Sequence, residues 1–321
     1  MADILNVANC GGATSTLNTG TPLCDVIRDI PYGLILLDAG VEFDASDRTS
    51  IAAFVAALDT ATRAARGSRA YPVWDLTNFE DQSKEPVKGT VGNLSNSDIQ
   101  LVDAIPAFAF QHRKGDFFHQ QLAKAEAGGF VILIVDKKYA VYGTKTSGGN
   151  FTGFTMAEFK AQLPKFQTPQ TASNYPFSVV LNSIAEYKEN LAIIQADATL
   201  VNISGNRDVA LSIHTAVAGS TLKVALTGIG GKNIAELFST EFAQAGAWSV
   251  KKVADGSAVT VSPAYDSTNK VFTLTLSGTP WTGGSTGDYY TVDLATAAAL
   301  AALASPIDGY ESTGALSIQK P

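Results

Sequence analysis

His112, Asp116 and His119 lie close together in the sequence and have the residue types of a metal site. In one helix, positions 116 and 119 would share a face with 112 one turn earlier, and a His/Asp/His set can bind a divalent ion. Gly115 sits between them and predicts a break before 116, and no fourth ligand is close by. The three residues therefore read as capping and packing groups. Gly228-Ile229-Gly230-Gly231-Lys232 resembles a phosphate loop, but that pattern needs Gly at 226 and Ser or Thr at 233. This chain has Leu226 and Asn233, so the glycines read as a turn entering a helix. We recognise no nucleophile elbow and no H-E-x-x-H zinc motif. His214, in the strand-like SIHTA, has no evident Ser or Asp partner and reads as a surface or interface histidine. Glu80, Asp81 and Glu85 read as a solvated loop or a channel lining, not as a hydrolytic carboxylate pair. Trp281, Tyr289 and Tyr290, in TPWTGGSTGDYY, are the aromatics best placed to stack on a sugar, with packing on their own domain as the simpler reading. No catalytic, cofactor-binding or metal residue is assigned, and neither an enzyme nor a cofactor is predicted.

The elements that position these residues follow from periodicity. Ile30–Val41 carries an apolar run and predicts a buried strand. Ile51, Phe54, Val55 and Leu58 mark one face of a helix over 49–66, capped by Ser46 or Asp47 and stopped at Gly67. Tyr71–Phe79 and Ile99–Gln111 predict strands, joined by a polar hairpin or loop with a further strand near Pro86–Val91. Pro106 places any break in the second strand at an edge or bulge. Asp116–Ala127 predicts a helix ended by Gly128 and Gly129. Phe130–Val135, a Lys137-Lys138 turn and Tyr139–Thr144 predict a hairpin. Thr155–Leu163 reads as a short helix, Tyr175–Ala185 as a strand, and Leu191–Gln195 as an extension of that sheet. The aromatics from Tyr71 to Tyr142 read as sheet core.

After about residue 198 the texture changes to short Thr/Val-rich segments. Thr199–Ile203, Ala210–Ala216, Thr221–Thr227, Trp248–Val253, Ala258–Val261 and Val271–Leu276 predict strands of a sandwich. Helices are expected over Lys232–Gly246 and Asp293–Ala304. The expected organisation is an N-terminal extended arm at 1–29, an α+β assembly domain at 30–197 and a β-sandwich at 198–321. The fold class is α+β: an antiparallel sheet or sandwich with flanking helices, followed by a mostly-β, immunoglobulin-like sandwich.

Composition narrows the function. Charged residues are 17% of the 321, against roughly 25% in an ordinary domain, while 45% are hydrophobic. So neutral a chain is expected to cover part of its surface with neighbours. A net charge of −7 and the absence of long Lys/Arg runs argue against binding nucleic acid through its phosphates. Cys10 and Cys24 match no zinc spacing and read as free thiols, a disulfide being the alternative. MADILNVANCGG lacks signal-peptide character, and no apolar stretch is long enough to span a bilayer.

The order of strand, long polar loop, strand, helix, the hairpin FVILIV–KK–YAVYGT, a Gly-rich turn and a further strand resembles a bacteriophage virion structural protein. It is similar to the tail tube (major tail) proteins of long-tailed phages. The resemblance implies a sheet and flanking helix that form rings, usually of six subunits, stacked into a tube around a DNA channel. It implies a long loop that contacts the next ring and, in some members, an immunoglobulin-like C-terminal domain on the outside. The partners expected on that basis are copies of the chain itself and other virion proteins, with no sequence-specific nucleic acid and no membrane insertion. The location expected is the virion, assembled in the host cytoplasm. The alternatives are a capsid or head-decoration protein and a carbohydrate- or cell-surface-binding module.

Overall fold

A computed structural model describes residues 3–5, 28–90, 98–170 and 172–321. Cys10 and Cys24, and most of the expected N-terminal arm, lie outside them. The chain divides into two compact units, Met1–Thr62 with Arg66–Ser204, and Arg63–Ala65 with Gly205–Pro321. The division at 204/205 leaves 198–204 with the first unit.

The first unit runs β1 (Pro31–Asp38), α1 (Ile51–Thr62), β2 (Ala70–Val73), β3 (Asn78–Asp81), β4 (Val87–Thr90), β5 (Asp98–Val102), β6 (Ala107–His112), α2 (Asp116–Ala123), β7 (Phe130–Asp136), β8 (Ala140–Lys145), β9 (Phe151–Thr152), β10 (Phe154–Ala161), β11 (Tyr175–Leu181), α3 (Ile184–Lys188) and β12 (Leu191–Gln195). Its main sheet has the order β12-β8-β7-β10-β11-β6-β3, with β1 on β7 and β2 on β1. All these pairs are antiparallel. β1, β7 and β8 carry near-continuous apolar runs, at 34–37, 130–135 and 140–142, because both faces of this part of the sheet are covered. Ile35, Leu37, Leu133, Val135 and Val141 face one way, against Phe54 and Leu58 of α1. Leu34, Leu36, Ile132, Ile134 and Tyr142 face the other way, against Phe108, Phe110, Phe177 and Val179 of β6 and β11. The layers are thus the helix, the β1–β7–β8 part of the sheet, and the β11–β6 part of the same sheet packed against its other face. At the outer edge of β12, Leu5 bridges to Ile194 and is buried, and Asp3 pairs with Arg48 at 3.1 Å.

Several expectations are corrected. Thr155–Leu163 is not a helix, because 154–161 forms β10 between β7 and β11. Phe154 and Phe159 are five apart, a spacing that puts residues on opposite faces of a regular strand. A bulge between Met156 and Glu158 resets the alternation, so both rings enter the same core. Tyr71–Phe79 is split into β2 and β3 around Asp75, whose φ is +63°. Ile99–Gln111 is split into β5 and β6 around Pro106. β4 and β5 pair as a separate hairpin. The cap of α1 is Ser50, whose Oγ accepts the Ala53 N–H at 3.1 Å, rather than Ser46 or Asp47.

The second unit runs β13 (Arg207–Ala218), β14 (Thr221–Gly228), α4 (Ile234–Leu237), β15 (Trp248–Lys252), β16 (Thr260–Asp266), β17 (Val271–Ser277), α5 (Thr279–Thr282), β18 (Tyr289–Leu294), α6 (Ala297–Ala301), β19 (Tyr310–Ser312) and β20 (Leu316–Gln319). A five-stranded sheet, β16-β17-β14-β13-β19, and a three-stranded sheet, β15-β18-β20, share one core. Both sheets are antiparallel except for the parallel β13–β19 pair. Leu222, Val224 and Leu226 enter that core from one sheet, Val250, Val292 and Ile318 from the other. Thr199–Ile203 is not a strand: Asp197 accepts the Thr199 N–H at 2.9 Å and starts a 3-10 turn at Ala198–Asn202. The helix expected over Lys232–Gly246 shortens to α4 and two 3-10 turns, with Phe238 already out of helical geometry. The helix expected over Asp293–Ala304 also shortens. Leu294 stays in β18 opposite Trp248, and Thr296 caps α6 by accepting the Ala299 N–H.

Candidate functional site

β6 and α2 bring together two of the three residues first singled out. Along β6, Phe108, Phe110 and His112 face inward while Ala107, Ala109 and Gln111 alternate outward. Gly115, at φ +93°, turns the chain into α2, where His119 and Leu122 form the buried side. His112 Nε2 lies 3.2 Å from His119 Nδ1. The Lys114 N–H donates to His112 Nδ1 at 3.1 Å, and His119 Nε2 lies 2.7 Å from the Gln162 carbonyl. A backbone N–H only donates and a carbonyl only accepts. One tautomer pattern therefore satisfies the chain of contacts: each neutral ring carries its proton on Nε2, His112 donates to His119, and His119 donates to Gln162. Both lone pairs that could hold a metal are already used. Tyr175 stacks on His112 at 5.3 Å and Phe118 meets it edge-on at 5.0 Å. Burial, reinforced by His119 and Lys114, pushes His112 down to about 4. Asp116 turns away and accepts the Tyr175 hydroxyl at 3.3 Å. Among the described residues, no three His, Cys, Asp or Glu side chains converge on a metal position.

The other sequence candidates are dispersed. Gly230 and Gly231 take φ +75° and +78° in the turn before α4, and Asn233 caps that four-residue helix by accepting the Glu236 N–H. His214 is exposed on β13 with Nδ1 3.1 Å from the Thr215 hydroxyl. Trp281 and Tyr290 do not offer a sugar platform: they are 3% and 0% exposed and pack edge-on at 4.8 Å, leaving only Tyr289 at the surface. The letters G-x-S-x-G do occur, at Gly283–Gly287, and were missed in the sequence. Their context is wrong for a nucleophile elbow, which needs strand, Ser, helix. Here Ser285 follows α5 and precedes β18, and its N–H and C=O both bond to Asp288.

Glu80, Asp81 and Glu85 are exposed, the first two on β3 at the end of the sheet. The Gln82 N–H bonds to the Ala107 carbonyl. Alternation along an antiparallel pair then leaves the backbone groups of Phe79 and Asp81 directed at the open edge. A feature that sequence reading missed lies between β10 and β11. Residues 162–170 and 172–174 flank a backbone bridge, a ribbon in which Lys165 and Asn174 exchange both hydrogen bonds, at 2.9 and 3.2 Å. Leu163 and Phe166 on this ribbon are 87% and 95% exposed. Burying such side chains is worth about 1.5–3 kcal/mol each. The signal was present as QLPKF, where Pro164 rules out a helix interior. No protein-family model matches the chain, and no curated protein matches its sequence.

Proposed function

We propose that this chain is a structural subunit that works by assembling with copies of itself, as a tail tube subunit of a phage virion does. One observation carries the reading: a segment held by the Lys165/Asn174 bridge leaves Leu163 and Phe166 almost wholly in water within a chain of unusually low charge. A free monomer gains nothing from that arrangement, whereas a neighbour covering the ribbon recovers the burial energy. The open, acidic edge of β3 supports the reading, since an edge strand offers unpaired backbone groups to another chain. In this proposal the first unit forms the ring. The second unit, with its two sheets around Trp248 and Phe272, is an immunoglobulin-like decoration domain. The acidic balance of −7 keeps DNA from sticking to the channel wall. Negative-stain electron microscopy of the concentrated protein tests this. Rings or tubes are expected. Closed shells would move the subunit to a capsid, and a field of single particles at every concentration would overturn the proposal.

A further inference from the structure

We infer that the 162–166 arm of this ribbon in one copy docks against the open β3 edge of the next, giving a head-to-tail contact. The inference rests on the self-assembly reading and names the surfaces through which it acts. The ribbon leaves the sheet where Ala161 faces Phe177 and Gln162 N–H bonds to the Pro176 carbonyl, beside the His112 end of β6. Glu80 and Asp81 of β3 lie opposite Ala109 and Phe108, toward the other end of β6. Gln162 at the ribbon base is level with Gln111 and Asp81 with Phe108, about 10 Å apart along the strands, and the chain past Gln162 continues away from Asp81. Within one copy Leu163 and Phe166 stay 87% and 95% exposed, so they do not pack on that edge.

The two surfaces are complementary between copies. The ribbon carries Leu163, Phe166 and the cation Lys165, all exposed, with exposed Lys160 at its base and Glu158 further back on β10. The edge carries exposed Glu80, Asp81 and Glu85 around Lys84, with half-buried Phe79 as an apolar seat. Among the described residues, Lys165, Glu80 and Glu85 have no ion pair within the chain. The N–H and C=O groups that Phe79 and Asp81 present at the open edge are the groups to which an incoming backbone segment adds. Because each copy contributes a different surface, the contact is heterologous and propagates into a ring or a filament.

The test uses full-length chains in sedimentation experiments. Leu163→Ser/Phe166→Ser and Glu80→Lys/Asp81→Lys are each expected to weaken self-association at least about tenfold. Mixed together, the two variants are expected to form heterodimers, because each keeps one intact surface. Adding Lys165→Glu to Glu80→Lys/Asp81→Lys should recover part of the association. If wild type assembles and both variants assemble equally well, the inference is overturned while the assembly reading stands. A wild type that stays monomeric overturns both. Should a variant misfold, a photo-reactive phenylalanine analogue at position 166 gives an independent readout. Cross-links to residues 78–87 of a second copy support the contact, and cross-links confined elsewhere overturn it.

Discussion

His112 shows how one residue can look functional in sequence and be structural in the fold. It is fully buried and neutral, with its proton committed to His119. Its folded pKa of about 4 lies below the ordinary value of 6.5. Below pH 6.5 the unfolded chain takes up a proton that the folded chain refuses, so this contribution is whole above pH 6.5. It falls as the pH drops toward 4, by about 3 kcal/mol in all. Urea midpoints measured between pH 7 and pH 4 should decline with that sign, and His112→Phe should flatten the decline. An unchanged slope would refute the assignment. Gly153 makes a second prediction at this scale. A Cβ there would lie 2.6 Å from the Ile132 nitrogen and 2.8 Å from its carbonyl carbon, both backbone atoms that cannot give way. Gly153→Ala should therefore cost more than about 3 kcal/mol, read as a drop in melting temperature.

At the scale of elements, the β7–β8 hairpin depends on Asp136. This buried carboxylate accepts the Lys138 N–H at 2.8 Å, the Ala140 N–H at 2.9 Å and the Tyr142 hydroxyl at 2.8 Å. Burial and the Asp136 hydrogen bond both push the Tyr142 phenol up. Asp136→Ala strands those donors and should destabilise by about 3 kcal/mol, measured by chemical denaturation. Asp197→Ala, which removes the cap of the 198–202 turn, should cost only about 1 kcal/mol. Elements like this hairpin were legible because their signal is local: FVILIV is too apolar to be anything but buried, and Lys137-Lys138 marks its turn. β10 was illegible because its pattern passes through a bulge that only the partner strand reveals. The turn at 198–202 was misread because Thr and Val favour strands, while one Asp side chain decides otherwise. Of the candidate site, the acidic stretch was visible as charge. The ribbon was hidden, since the exposure of Leu163 and Phe166 is set by tertiary placement and not by residue type.

For the whole molecule, two units with separate cores predict separable folding. Residues 205–321 hold a core drawn from Val209 to Ile318 and should fold alone, with a cooperative melt and β-type circular dichroism. A non-cooperative melt would show that the second core is incomplete. The central claim, that the neutral and partly apolar exterior is an assembly surface, is tested most directly by sedimentation velocity of the intact protein across a wide concentration range. We predict mass action toward one or more discrete oligomers, with the monomer dominant only at the dilute end. A single sharp monomer boundary at every concentration would contradict the account.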